Sequence, residues 1–409
     1  DSADFDPGAG AAGIVYAIAV QPDGRILVGG LFEKFAGVTC GRIVRLDSDG
    51  SIDTTFNPGV GADDAVYSIA VQPDGQILVG GNFLNFGGTA VKRIVRLSAT
   101  GVVDNSFVSA VDDGANDRVT TIVLPGEGRI LIGGYFTEFD ATNRGRVAGL
   151  SSSGALDTSY ATGIGADGNV LTMAVQNDGK VLIGGVFSQY DTVACGRIAR
   201  LDPVGGLDGT FNAGVGADGE VSAIALQEDG NLLVGGDFDN FNTTAQPFLT
   251  RFGNGAAVQT LTVVDGTRLS WTRSGPGPKA IPIGFEVSTD NGVSWSLLGT
   301  GTQAGGTLTL TGQDLPVQGT IRVNARTAGG FLGGSAGLVG DQVFFDHGPI
   351  IAGLQSQMAA SKAKEAKFKK QIRKAKKAKK ASLVKSLTKK LKAASANTKK
   401  FLADLQRYP

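Results

Sequence analysis

Five Gly-Gly pairs, each closing an apolar stretch and followed one residue later by phenylalanine, punctuate the first 252 residues of this 409-residue chain. They are Gly29-Gly30, Gly80-Gly81, Gly133-Gly134, Gly184-Gly185 and Gly235-Gly236, at successive intervals of 51, 53, 51 and 51 residues. A fixed period of this length marks one supersecondary unit copied in series, not a conventional enzyme domain. The repeat therefore constrains the fold far more than it constrains the function.

Every unit has the same grammar. Val15-Tyr16-Ala17-Ile18-Ala19-Val20 runs into Gln21-Pro22-Asp23-Gly24 and then Arg25-Ile26-Leu27-Val28-Gly29-Gly30. Two β-rich runs around a Pro-Asp-Gly step read as a hairpin, because Pro presets φ and Gly accepts positive φ. The step recurs at Gln72-Pro73-Asp74-Gly75, Gln176-Asn177-Asp178-Gly179 and Gln227-Glu228-Asp229-Gly230, and departs only in the third copy, Leu124-Pro125-Gly126-Glu127-Gly128. A third strand is expected over Arg42–Leu46, and a fourth short element carries Ile52-Asp53-Thr54-Thr55-Phe56. That is the size of a propeller blade. The fifth unit lacks the Asp-x-x-Phe element, while Phe5-Asp6-Pro7-Gly8 matches Phe56-Asn57-Pro58-Gly59. The expectation is a mainly β chain whose residues 1–255 form a closed five-bladed β-propeller, with Phe5 closing the ring by completing the last blade and removing two sheet edges. The alternative is that this N-terminal strand completes a neighbouring molecule's sheet in a head-to-tail fibre.

The run Ala-Val-Gln-Pro-Asp-Gly-Arg-Ile-Leu-Val-Gly-Gly-Leu-Phe, followed by Arg-Ile-Val-Arg-Leu-Asp-Ser-Asp-Gly-Ser-Ile-Asp-Thr-Thr-Phe, resembles the delta-60 repeat family of bacterial secreted propeller-like proteins over about residues 1–252. The resemblance implies a surface or extracellular protein and brings no catalytic residues with it. The third copy departs most, with Gly149 in place of arginine and Tyr160 in place of phenylalanine.

From 256 to 346 the period stops. Trp271, Trp295, Phe285 and alternating stretches such as Thr320–Ala325, with a turn at Asp290-Asn291-Gly292, read as a small β-sandwich. The segments Phe285–Trp295 and Ile321–Arg326 are similar to a fibronectin type III domain, which implies a spacer or binding module. Residues 347–409 change again: Leu354, Met358, Phe368, Ile372, Ala375, Leu383, Leu387, Leu391, Ala394, Phe401 and Leu405 recur at helical spacing in a lysine-rich background. One continuous helix over 52 of these residues would reach about 78 Å, with a break expected near Ser395–Thr398. An apolar face of that length needs something to pack against.

Charge sharpens the picture. The chain balances 38 basic against 38 acidic residues, yet residues 350–409 hold 16 Lys and 2 Arg against Glu365 and Asp404 alone. The repeats carry 15 basic and 30 acidic residues, with acids recurring at the loops that open the units: Asp63-Asp64, Asp112-Asp113, Asp167, and Asp218 with Glu220. Equivalent loops of a propeller share one rim, so an acidic rim and a basic tail on one molecule point to self-association into a homo-oligomer or polymer. In this reading Phe368, Ile372, Leu383, Leu387, Leu391, Phe401 and Leu405 form the apolar docking face of the tail. An anionic polysaccharide is the alternative partner, in a cell-surface adhesin. Sequence-specific nucleic-acid binding is disfavoured, since the tail has only Phe368, Phe401 and Tyr408 for stacking and two arginines for base readout.

Enzyme readings find little to use. His347 is the only histidine, so neither a Ser-His-Asp triad nor a multi-histidine metal site can be assembled in the repeats. No cofactor loop is present, and Asp47-x-Asp49-Gly50-x-x-Asp53 reads as an ordinary turn before a calcium loop, because the equivalent positions elsewhere are Ser98-Ala99-Thr100-Gly101 and Ser151-Ser152-Ser153-Gly154. Cys40 and Cys195 occupy equivalent sites in units one and four and are expected to be free thiols. Asp1, in place of an initiator Met, reads as a processed N-terminus after export, and no apolar run approaches the ~20 residues that span a bilayer.

Overall fold

The computed structural model describes residues 5–111, 113–126, 128–327, 338–377 and 381–408. The chain divides into two compact units; the larger contains the repeats together with 273–281, and the smaller contains 259–272, 282–324 and 340–409.

Units two to five are each a three-stranded antiparallel sheet, and the sheet of unit one adds a fourth, two-residue strand, Val38–Thr39. In unit two, Val66–Val71 pairs with Ile77–Gly81, which pairs with Ile94–Leu97. The same order recurs in units three, four and five, from Val119–Gly126, Val170–Val175 and Glu220–Leu226 respectively. Unit one has longer strands, Ala11–Val20 and Ile26–Phe35. The expected fourth strand shrinks to single bridges, Leu46↔Ile52, Leu97↔Val103, Leu150↔Leu156 and Leu201↔Leu207. In unit two the residues after that bridge form a short helix, α1 (Asn105–Val111).

The Gly-Gly pair has two separate physical causes. Opposite it, every first strand carries a bulge, as between Val66 and Ser68. A β-carbon on the second glycine, Gly81, would lie 2.1 Å from the Ala65 carbonyl oxygen of its own hairpin. On the first glycine it would strike the next unit: at Gly29, 2.6 Å from Val66 Cγ1 and 2.9 Å from Ile69 Cδ1. Bulges and close backbone approach both select glycine.

The ring closure expected from Phe5 is not formed. Asp6 donates its backbone N–H to the Asp49 carbonyl at 2.8 Å, so the N-terminal segment docks on the turn of unit one instead of unit five. It sits there as Asn57 sits on the unit-two turn, through Asn57 N–H to Thr100 O at 2.8 Å. Phe5 itself is exposed.

After the repeats come two four-stranded sheets, one built from Val258–Asp265, Arg268–Ser274, Thr307–Thr311 and Thr302–Ala304, the other from Ser296–Gly299, Ala280–Ser288, Gln318–Thr327 and Leu338–Asp346. Leu269, Trp271, Phe285, Ile321 and Val323 are buried there. The loop between Arg268–Ser274 and Ala280–Ser288 belongs with the repeats: Asn177 N–H donates to Gly277 O at 2.7 Å, and Lys279 N–H to Val175 O at 2.8 Å.

The tail is two helices, α2 (Gly348–Lys377) and α3 (Ala381–Leu405). The expected break at Ser395–Thr398 lies inside α3. The helices pack against each other, with Ser361 Oγ donating to Ala394 O at 2.9 Å and Thr398 Oγ1 to Glu365 Oε1 at 2.5 Å. The long helix thus gains its packing partner by folding back as a hairpin, which periodicity alone does not encode.

Candidate assembly surfaces

The junction between consecutive units is the most regular structure in the molecule, and it is built from four contributions. Val66, Val119, Val170 and Val221 are fully buried at 0% exposure, in sockets lined by Gly29, Gly80, Gly133 and Gly184 of the preceding unit. Beside them Ile69, Ile122, Met173 and Ile224 fill the same sockets. Second, Arg42, Arg93, Arg146 and Arg197, each with φ between 66° and 68°, donate to the carbonyls of Ala62, Ala115, Ala166 and Ala217 in the next unit at 2.7–2.8 Å.

Third, a guanidinium in each unit is held by its own aspartate and reaches the following unit's turn. Arg45 pairs with Asp53 at 2.7 Å, Arg96 with Asp104 at 2.7 Å and Arg200 with Asp208 at 2.8 Å. Arg45 and Arg96 then donate to the carbonyls of Ala99 and Ser152, and Arg200 to Asn254 Oδ1. Fourth, Phe56, Phe107 and Phe211 lie against these guanidinium groups at 4.8–5.0 Å. Unit three, where Gly149 replaces the arginine, supplies the charge from a neighbouring strand: Arg129 pairs with Asp157 at 3.0 Å and donates to Pro203 O at 2.9 Å. The vacated space is taken by Tyr160, whose Cβ would lie 2.6 Å from a β-carbon at Gly149. Burial opposes ionisation of Asp53, but hydrogen bonds from Thr55 and Arg45 outweigh it and lower its pKa below the ordinary carboxylate value.

The acidic loop residues turn out to be occupied. Asp63 accepts from Leu84 N–H at 2.9 Å and Asn85 Nδ2 at 2.7 Å; Asp167 accepts from Ser188 and Gln189; Asp218 accepts from Asp239 and Asn240. These carboxylates cap the small two-stranded ribbon that follows Gly-Gly-x-Phe in units two, four and five. Although burial works against them, hydrogen bonds from those ribbons hold Asp63 and Asp167 below the usual carboxylate range. Asp64 accepts from Asn82 at 2.7 Å, Glu220 from Ser222 at 2.7 Å, and Asp113 pairs with Lys92 at 3.7 Å. Asp112 lies outside the described residues. The unit-three counterpart of Asp63 is Asn116, which accepts from Thr137 and Glu138. Counting 53 residues forward from Asp63 finds it directly.

On the tail, Leu387 and Ala394 are buried on one face of α3, and Phe368, Ile372, Leu391, Phe401 and Leu405 are half-buried. Leu383 is 45% exposed. Most of the face expected to dock elsewhere is therefore used inside the hairpin. The described tail lysines are exposed, and among the described residues the tail lysine with an ion pair is Lys369, 3.9 Å from Glu365. His347 lies buried between Phe345 and Tyr408, at ring separations of 5.1 and 4.8 Å, and burial lowers its pKa. Cys40 and Cys195 are free, and burial raises both thiols, Cys195 to about 11. Asp49 caps its own turn through Ser51. Among the described residues, no helix is long and apolar enough to cross a membrane.

Five similar sheets in series, joined through glycine sockets, define a propeller-like repeat protein. Residues 21–56, 72–107, 128–160, 176–211 and 227–254 match the family model described as "Domain of unknown function (DUF5122) beta-propeller". No curated protein matches the chain.

Proposed function

We propose that this is a non-enzymatic structural protein of the cell exterior, in which delta-60-type propeller repeats, a fibronectin-like sandwich and a basic helical hairpin serve self-assembly. The observation that carries the reading is the separation of charge, with a net-acidic repeat array in the same chain as a hairpin whose described lysines face solvent. Opposite fields on one molecule favour association between copies and set its register and rate. The acids that cap the ribbons still contribute negative charge to the array's field, because their pKa values are lowered and they are ionised at neutral pH.

Sedimentation velocity of the full chain at low and high salt tests this. Assembly at low salt that weakens in 0.5 M salt, and weakens further when Lys367, Lys369 and Lys370 become Gln, supports it. A monomer at every concentration that instead retains a sulfated polysaccharide through the same lysines overturns it in favour of an adhesin, since exposed lysines suit any polyanion.

A further inference from the structure

The two ends of the repeat array are bare in complementary ways. Val15 and Ile18 stand where Val66 and Ile69 stand in unit two, yet they are 38% and 42% exposed. At the other end, Gly235 stands where Gly29, Gly80, Gly133 and Gly184 form sockets. A β-carbon there would meet Phe248 O at 3.7 Å and Ala223 Cβ at 3.9 Å, both within its own unit. Leu249 is 62% exposed, whereas its counterparts Ile43, Ile94, Val147 and Ile198 are at most 1% exposed.

The polar contributions are left open at the same two faces. Arg251, the counterpart of Arg45, has no following unit to reach and pairs with Asp229 at 2.7 Å, both side chains half-exposed. Phe5, the counterpart of the buried Phe56, docks on unit one with its ring exposed. Thus, apart from the arginine clamp, the elements of the junction formed four times inside the chain are present once more, their halves at opposite ends. One departure marks the last face. Phe248 keeps the φ of 68° but replaces the arginine clamp, and it is 62% exposed, making this face more apolar than the internal ones.

We infer that copies of this chain stack head to tail, unit five of one copy receiving unit one of the next, so that the internal junction is formed again between chains. Val15 and Ile18 enter the Gly235 socket, Leu249 becomes covered, and Arg251 meets Phe5 and the Ser48 turn of the neighbour. The occupant is a second copy because the geometry that fills each socket is the repeat's own. Such an interface is heterologous: it propagates into a filament, or closes into a ring of copies if the rotation per copy allows. The inference deepens the self-assembly reading and rests on it, but assigns the contact to the array ends instead of the charged tail.

The test uses full-length chains with separate lesions on the two faces. Val15→Arg with Ile18→Arg spoils the entering face. Gly235→Leu fills the socket, in a place with room for the side chain and no positive φ. Leu249→Arg offers a second lesion on that face should the glycine variant fold poorly by circular dichroism. Sedimentation velocity should show wild-type assemblies, monomers for each variant alone, and one dimer with nothing larger when the Val15/Ile18 variant is mixed with a unit-five variant. Single variants that assemble like wild type, while the lysine-to-glutamine tail variant dissociates, would overturn the inference and leave the self-assembly reading standing. A wild-type chain that is monomeric at all concentrations would remove both.

Discussion

A junction within the repeat array and the seam of the helical hairpin both bring two amphipathic surfaces together, and they do it with unequal resources. Each array junction seats two apolar side chains against a glycine and adds an arginine clamp and a guanidinium fixed by a carboxylate. The hairpin seam has Leu387, Ala394 and a pair of hydroxyl contacts from Ser361 and Thr398. The contrast teaches that the array is specified at many positions at once. The hairpin is specified only by periodicity and a few small residues. Loss of one group should therefore cost more in the array, and the cost should follow burial.

The largest effect is expected at Asp53. Its carboxylate and the Arg45 guanidinium are each 3% exposed. Asp53→Ala strands a buried guanidinium and should cost about 3–5 kcal/mol in urea unfolding followed on the array. Asp229→Ala, which removes the half-exposed partner of Arg251, should leave the unfolding midpoint nearly unchanged, because water screens an exposed pair. Equal costs at the two sites would break the link between burial and stability that separates the inner junctions from the outer face.

The hairpin should respond less. Leu387→Ala should cost about 2 kcal/mol, the lower end of the range for buried leucine, because a thin seam can relax into the space. Thermal loss of helical signal at 222 nm checks it. A loss as large as that of Asp53→Ala would mean that the hairpin is as tightly specified as the array.

Acid sharpens the same comparison. The carboxyls of Asp53, Asp63 and Asp167 have folded pKa values below the unfolded value of about 3.9. A lowered folded pKa gives stability that is fully present above the unfolded value and is lost as pH falls through the folded one. The array should hold its near-ultraviolet signal from pH 7 to about 4 and lose stability below that. Loss beginning above pH 5 would show that other groups govern the array.

What could be read from the sequence follows the same division. The Gly-Gly pair, the hairpin turns and the number of units were legible because five copies repeat one physical demand. The separate reasons for the two glycines were not, since one faces its own strand's carbonyl and the other the next unit's valine. The acids at Asp63, Asp167 and Asp218 were visible as a pattern, but their capping of ribbon N–H groups depends on contacts across about twenty residues. The match of Phe5-Asp6-Pro7-Gly8 to Phe56-Asn57-Pro58-Gly59 points to ring closure, yet the segment docks on unit one. For the tail, helical spacing marks an apolar stripe, but spacing cannot distinguish a face awaiting a partner from one that folds onto itself. Ser361, a small polar residue outside the apolar pattern, carries the contact to Ala394.

The smallest expected effect lies at Leu383, and it separates internal from external use of the tail. This leucine is on α3 with Leu387, one turn nearer the start of the helix, yet it is 45% exposed while Leu387 is 8% exposed. Leu383→Ser removes little burial from the hairpin, so helix melting should change by less than about 0.5 kcal/mol. If the tail contributes no apolar contact between copies, sedimentation should be equally unchanged. A Leu383→Ser chain that melts like wild type but fails to assemble would show that the exposed remainder of the apolar stripe is buried by another copy. That outcome would turn the hairpin from a folded appendage of its own chain into a second assembly surface beside the array ends.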